Sequence, residues 1–452
     1  MFLSLLERLA RYGERQALIW HDRSISYADL VASARAWSEE LRRLDVAPGE
    51  AVAICGDCSP QTCALLFALV ANENIVVPLS SVVGANRDRF MEIAEVRHAL
   101  VFDAEDRWEA LRFERTVTHP LLTRLRDART PGLILFSSGS TGESKASVLD
   151  FSKLIGKFGG QREAARTLVF LLLDHIGGIN TLLHVLSAGG TIVAIADRSP
   201  EAVVAAIERH AIEVLPTTPT FLNMLLISQA HSRYDLSSLR LVTYGTEPMP
   251  ASTLSALRAA LPNARLKQTY GLSELGILPT KSRDSGSLWV KLGSDGFEHK
   301  IVDGKLWIRS DFAMSGYLNA PAPFDDEGYF DTQDQVEVDG EWIRILGRAS
   351  EIINVGGQKV YPGEVESVLL ELDNIRDATV IGVPNPVTGQ VVTAAVSLVA
   401  DEDAAALRRR IQAHCRTRLE PYKIPLRIEV HAGDHHSARF KKSRRAVAGA
   451  TA

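Results

Sequence analysis

Cysteine is scarce in this chain: four residues among 452, at positions 55, 58, 63 and 415. That excludes a disulfide framework for a protein of this size and suits a reducing, cytoplasmic setting. The Cys55-Gly56-Asp57-Cys58 spacing matches half of a redox or zinc motif. No second Cys/His pair stands in register to complete four ligands, which favours a structural role. Long hydrophobic runs are missing too. The most apolar stretch, residues 64–70, ends at Ala71-Asn72-Glu73-Asn74, well short of the ~20 residues a membrane span needs. Neither charge dominates: 50 Lys+Arg face 55 Asp+Glu, a net charge of -5 that argues against a general nucleic-acid binder or a basic membrane-surface protein. Internal repeats and low-complexity linkers are absent. Residues 1–11 space their apolar side chains like an amphipathic helix and meet Glu7 and Arg8 early, unlike a secretory signal.

What is present is a globular composition, 46% apolar and 23% charged, in a chain long enough for two or three domains at roughly 100–200 residues each. Short apolar runs at 51–54, 75–78, 99–102, 133–136 and 167–170 alternate with helical stretches such as 30–44 and 252–261. This predicts an α/β build with largely buried strands. After about residue 283 the texture turns strand-rich, with turns at Asp303-Gly304, Asp339-Gly340 and Gly356-Gly357. A boundary at 347/348 divides a large N-terminal domain, 1–347, from a small α+β domain, 348–452. The latter has a helix from Pro362, strands at 378–383 and 391–399, and a helix at 403–418.

The most informative segment is Ser137-Ser138-Gly139-Ser140-Thr141-Gly142-Glu143-Ser144-Lys145, directly after the strand at 133–136. Glycines allow close backbone approach to an anion, hydroxyls can donate to phosphate oxygens, and lysine supplies positive charge. A Walker A loop would need four residues between its glycines and a helix behind its lysine, whereas Lys145 leads into apolar Ala146-Ser147-Val148-Leu149. Standing alone, the segment also fits a flexible Gly/Ser turn.

Residues 137–146 resemble the phosphate loop of the ANL superfamily of adenylate-forming enzymes: acyl-CoA synthetases, peptide-synthetase adenylation domains and luciferases. Further motifs follow in the family's order. Tyr244-Gly245-Thr246-Glu247-Pro248 resembles the adenine-contacting segment, and Tyr270-Gly271-Leu272-Ser273-Glu274 the Tyr-Gly-x-Thr-Glu motif. Gly328-Tyr329-Phe330-Asp331-Thr332-Gln333-Asp334 resembles the ribose-holding segment, Gly347-Arg348 the hinge, and residues 353–366 the start of the mobile C-terminal domain. Such ordered agreement is more specific than any single motif.

The resemblance implies a nucleotide site built from Ser137, Ser138, Gly139, Ser140, Thr141, Gly142, Lys145, the two tyrosine-led segments, Asp334 and Arg348. Glu274 would coordinate Mg2+ on the ATP phosphates, since a hard cation prefers oxygen. Ser273 and Thr141 would contact the phosphates, and Asp334 with Arg348 would grip the ribose. In isolation these are a solvated glutamate and a surface ion pair. Near the C-terminus, in Ser437-Ala438-Arg439-Phe440-Lys441-Lys442-Ser443-Arg444, the adenylation lysine falls at Lys441 with Arg444 following, and Lys442 is the lesser candidate. Phe440 stands where the family usually has glycine. His175 matches the His-x-x-Gly segment beside the acyl pocket and would position the substrate carboxylate or shape thiol access. Without that resemblance, a hydrogen-bonded core histidine is the plainer reading. Amino-acid-activating relatives place an aspartate near here for the substrate ammonium, and Asp174 is one position off that register. This favours an acid lacking an α-ammonium group. The acyl pocket is expected from His175, Gly177, Asn180, Tyr244 and Gly276, and the thiol tunnel at Gly356 and Gly357.

Other departures are Ser144 and Ala146 for the usual Pro and Gly, Asp331 and Gln333 for Arg and Gly, and Ser350 for Asp. The implied reaction joins a carboxylate to ATP, releasing pyrophosphate, and then passes the acyl group from AMP to coenzyme A. Transfer to a carrier-protein phosphopantetheine or to an amine is the alternative. A silent nucleotide-binding homologue is a further class, as is an oxidative luciferase-like enzyme. Glu274, Asp334 and the terminal lysine are all in place, which weighs against silence.

Overall fold

The computed structural model describes residues 2–138, 143–160 and 162–444. Its first sheet is centred on strands Ala51–Cys55 and Ile75–Leu79, buried along their whole length. They pair in parallel with each other and with His98–Phe102 and Gly132–Ser138. Strands covered on both faces read as unbroken apolar runs, which is why four of the five expected strands belong here. Trp108–Arg112 closes one edge antiparallel; Ser144–Asp150 and Gly316–Tyr317 close the other.

A second seven-stranded sheet runs in the order Arg265–Gln268, Leu241–Tyr244, Val214–Thr217, Arg166–Leu168, Thr191–Ala194, Gln16–Trp20, Arg23–Ser26. The strand expected at 167–170 ends at Leu168, because the Phe170 N–H turns back to the Leu168 carbonyl at 3.1 Å. Helices Pro60–Ala71 and Ile176–Ser187 share one hydrophobic cluster with side chains from both sheets. The former is buried continuously from Thr62 to Val70, so its sequence has no polar face. It starts cleanly: Ser59 and Thr62 cap each other, with Pro60 in the first turn.

The strand-rich texture after residue 283 becomes a six-stranded antiparallel sheet: Thr280–Ser282, Trp289–Leu292, Trp342–Arg348, Phe330–Asp339, Lys305–Ser310, Phe297–Val302. The small C-terminal domain has its own core, including Ile353, Val365, Val380, Val392, Ala394, Leu407 and Ile411. It is built on the antiparallel pair Ile375–Asn385 and Gly389–Leu398, with Arg427–Val430 parallel to the latter. Pro362 opens the helix Pro362–Leu369, and Asp403 caps Ala404–Arg416 by accepting the Ala406 N–H at 2.9 Å. Cys55, Cys63 and Cys415 are packed in hydrophobic cores. Among the described residues no helix is long and apolar enough to cross a membrane.

Candidate active site

Gly132–Ser138 and Ser144–Asp150 pair antiparallel, with Ser137 opposite Lys145 and Ser138 opposite Ser144. The Gly/Ser segment thus links two strands of a sheet, whereas a Walker loop leads from a strand into a helix. Gly139, Ser140, Thr141 and Gly142 lie outside the described residues. Asn319 clamps the hairpin base, accepting from Ala146 N–H at 3.0 Å and donating to the Ser144 carbonyl at 2.8 Å. The Lys145 ammonium lies 5.3 Å from the ring centre of Tyr317, within cation–π range. The Tyr317 hydroxyl donates to Glu274 Oε1 at 2.7 Å. Burial and the Glu274 charge push the Tyr317 phenol pKa far up, so it remains a donor. Glu274 is itself buried, in the turn between strands Tyr270–Leu272 and Gly276–Leu278.

Tyr270 ties this turn to the ribose candidates by donating to Asp334 Oδ2 at 2.5 Å. Asp334 lies opposite Arg348 in the register of Phe330–Asp339 with Trp342–Arg348, and Arg348 Nε is 3.6 Å from Asp334 Oδ1. The pair is no surface bridge, because Asp334 is buried and burial raises its carboxyl pKa against the pull of Arg348 and Tyr270. Gly245 explains how the adenine segment meets this group. A Cβ there would fall 2.7 Å from the Thr269 carbonyl oxygen, so only glycine lets the two nucleotide segments touch. Glu247 joins two other segments, its Oε1 accepting from Thr220 N–H at 2.8 Å and its Oε2 from Lys442 N–H at 3.0 Å.

His175 is the N-cap of Ile176–Ser187, its Nδ1 accepting the Gly177 N–H at 3.0 Å. This bond leaves the neutral ring's proton on Nε2. That nitrogen faces Lys441 Nζ at 3.3 Å. Burial, then the nearby Lys441 and Arg439 charges, hold His175 well below the usual imidazole range. Lys441 sits half-buried in the cleft between the domains, where desolvation pushes its pKa down to about 8. Glu247 and Glu274 act against that shift, and Arg439 and Arg348 add to it. The adjacent Lys442 turns into the C-terminal domain, donating to Asp377 Oδ1 at 2.8 Å and the Ala378 carbonyl at 2.6 Å.

Three contacts missed by sequence reasoning hold the Lys441 hairpin in place. Arg439 forks onto the buried Asp174 at 3.1 and 2.7 Å, while Ser80 Oγ donates to the same carboxylate at 2.5 Å. Asp174 is therefore occupied by the protein's own cation. Phe440 packs against Phe170 and Phe221, ring centres 5.1 and 5.7 Å apart, and its carbonyl accepts from Thr218 Oγ1 at 2.7 Å. Each partner lies more than two hundred residues away in sequence, beyond any local pattern.

Beyond His175 a narrow cleft, with a free cavity of only about 10 Å3, is lined by Ile176, Ile179, Asn180, Gly276, Ile277 and Phe312, with Lys157 among its walls. Asn180 and Gly276 were expected there. Tyr244 was too, but its ring is buried in the hydrophobic cluster of the second sheet and does not line the cleft. Nor do His175 and Gly177, which flank its first lining residue, Ile176, on the chain. Gly356 and Gly357 form an exposed turn between Ile353–Val355 and Gln358–Val360.

This fold and grouping match known proteins. The family model for AMP-binding enzymes matches residues 5–318, and that for the AMP-binding enzyme C-terminal domain matches residues 364–437. The chain belongs to this family, within the ANL superfamily its motifs resemble, and is an ATP-dependent, AMP-forming ligase. It is 28% identical to a 2-succinylbenzoate–CoA ligase from Bacillus pumilus, over 93% of this chain and 92% of that one. It is 27% identical to a 3-[(3aS,4S,7aS)-7a-methyl-1,5-dioxo-octahydro-1H-inden-4-yl]propanoyl:CoA ligase from Rhodococcus jostii, over 93% of each. A crystal structure of an anthranilate CoA ligase in complex with anthranoyl-AMP shares the fold, with a TM-score of 0.84 at 21% identity, covering 99% of this chain and 96% of that one.

Proposed function

We propose that the protein condenses a small carboxylic acid with ATP to an acyl-adenylate and then transfers the acyl group to the thiol of coenzyme A. The observation that carries this reading is the facing of His175 Nε2 and Lys441 Nζ, 3.3 Å apart. Nδ1 is already an acceptor, so Nε2–H and the Lys441 ammonium are two donors aimed at one another. A carboxylate oxygen seated beside the pair, within hydrogen-bond reach of each nitrogen, satisfies both. As that oxygen attacks the α-phosphorus and pyrophosphate leaves, Lys441 stabilises the charge that develops there.

Mg2+ fits this site on its donor chemistry: Tyr317 engages only Oε1 of Glu274, which leaves Oε2 as a hard oxygen ligand. When bound, the ion would neutralise charge on the departing pyrophosphate. Asp334 and Arg348 would hold the ribose, and Lys145 with the hydroxyls of the phosphate segment would hold the phosphates. We place the domain boundary at 347/348, so that rotation of residues 348–452 withdraws Lys441 and brings the Gly356-Gly357 turn to the thiol path. The CoA ligases among the relatives support that acceptor.

Pyrophosphate release with ATP and Mg2+ across aryl, fatty and amino acids, with and without coenzyme A, tests this. Release for one acid class with thioester formed is the expected result. Release without thioester would assign a carrier protein or an amine as acceptor, and no release with any acid would overturn the reading. The pH profile supplies an independent test. Lys441 acts as the ammonium, so kcat/KM for adenylation should hold below pH 8 and fall as pH rises through about 8. With benzoate as the acid, the residual activity of Lys441→Arg should lack that alkaline limb.

A further inference from the structure

The far wall of the cleft carries a cation that the reaction above does not use. Lys157 follows helix Phe151–Gly156 and turns its ammonium inward among the rings of Phe158, Phe297 and Phe312, 5.8 to 5.9 Å from each centre. Its hydrogen-bond partners are the Ile277 carbonyl and Asn180 Oδ1, the latter at 3.4 Å. No carboxylate forms an ion pair with it among the described residues, and the charged neighbour that bears on it is another cation, Arg162. Burial accordingly drives its pKa down to about 8. A lysine enclosed in an apolar wall is unfavourable as the ammonium unless an anion joins it. Aromatic faces and a carbonyl attract a cation without neutralising it.

The placement fixes what could join it. Asn180 is five residues beyond His175 on Ile176–Ser187 and its N-cap, about 7.5 Å along the helix axis. Lys157, through Asn180, and Lys441, through His175, are thereby tied to one helix and its N-cap, with the cation set further along it than the proposed carboxylate site.

Resting on the proposed acyl-adenylation, we propose that Lys157 is a specificity residue, selecting carboxylic acids that bear a second acidic oxygen group at the far end, a carboxylate or a phenolic hydroxyl. Lys157 binds that oxygen as the missing counter-charge, and the Asn180 amide N–H can donate beside it. Plain aryl or alkyl acids of the same length leave the cation unpaired.

The test compares matched acids in the pyrophosphate-release assay: benzoate against its para-hydroxy and para-carboxy derivatives, and hexanoate against adipate. The wild-type enzyme should favour the distal-oxygen member of a pair by tenfold or more in kcat/KM, and the favoured member distinguishes phenol from carboxylate. Lys157→Met keeps length and apolar volume, and should lower that value at least tenfold for the favoured acid while leaving or raising it for the plain one. Lys157→Arg should retain the preference. An inversion between substrates separates recognition from a general loss of folding, which would lower both. Equal turnover of both members by wild type, or an equal effect of Lys157→Met on both, overturns the inference and leaves the ligase reading standing. Absence of pyrophosphate release with every acid overturns the ligase reading, and the inference with it.

Discussion

Lys441→Ala should lower pyrophosphate release by about 10²–10³-fold, the scale of removing one preorganised donor from a developing oxyanion, while ATP binding and thermal stability stay close to wild type. The low pKa of Lys441 is the reason for the second half of that expectation. The folded protein disfavours its charged form, so its removal sacrifices no stabilising ion pair. Lys442→Ala should behave in the opposite way. Its ammonium pairs with the buried Asp377, and breaking a buried pair by deleting one partner costs about 3–5 kcal/mol. Thermal denaturation of both variants beside their pyrophosphate release separates the roles. Full adenylation by Lys441→Ala with a dead but folded Lys442→Ala would move the chemistry to Lys442.

Arg439→Met should slow adenylation by about ten- to hundredfold while acyl transfer from supplied acyl-adenylate changes little. Arg439 makes two charge-assisted bonds to Asp174 across the domain cleft, and such bonds contribute about 1.5–3 kcal/mol to the docked arrangement. Each 1.4 kcal/mol is about a tenfold change in population. Without Arg439, Asp174 keeps the Ser80 hydroxyl and N–H as its hydrogen-bond donors among the described residues, with the Arg198 charge nearby, and the Lys441 hairpin spends less time over His175. Measuring the two half-reactions separately checks this. Equal loss in both would mean that the bridge supports folding of the cleft and not the docked state.

The α/β class, the small C-terminal domain and the ordered motifs were legible in the sequence, because buried parallel strands announce themselves as apolar runs such as Ala51–Cys55 and Ile75–Leu79. So was the adjacency of Asp334 and Arg348, which the strand register sets opposite each other. Tyr317 and Arg439 were not legible. Tyr317 reaches Glu274 from 43 residues away and Arg439 reaches Asp174 from 265, and neither separation carries a helical or strand period. The side-chain direction of Tyr244, expected at the acyl pocket, was not legible either: its ring is buried in the hydrophobic cluster of the second sheet. Two departures from the family pattern do have a local account. Gln333 and Phe440, both standing where the family usually has glycine, have φ of 61° and 52°. Both residues hold the left-handed backbone that glycine adopts without strain, at a cost of about 1–2 kcal/mol for each residue.

At Phe440 that cost is set against a ring seated between Phe170 and Phe221. Any swing of the C-terminal domain must draw this aromatic plug out into water, so undocking exposes apolar surface and carries a positive heat-capacity change. The grip of the plug weakens on cooling. The balance between the docked and released arrangements is thereby tied to temperature, in a way that a glycine at the same turn would not impose.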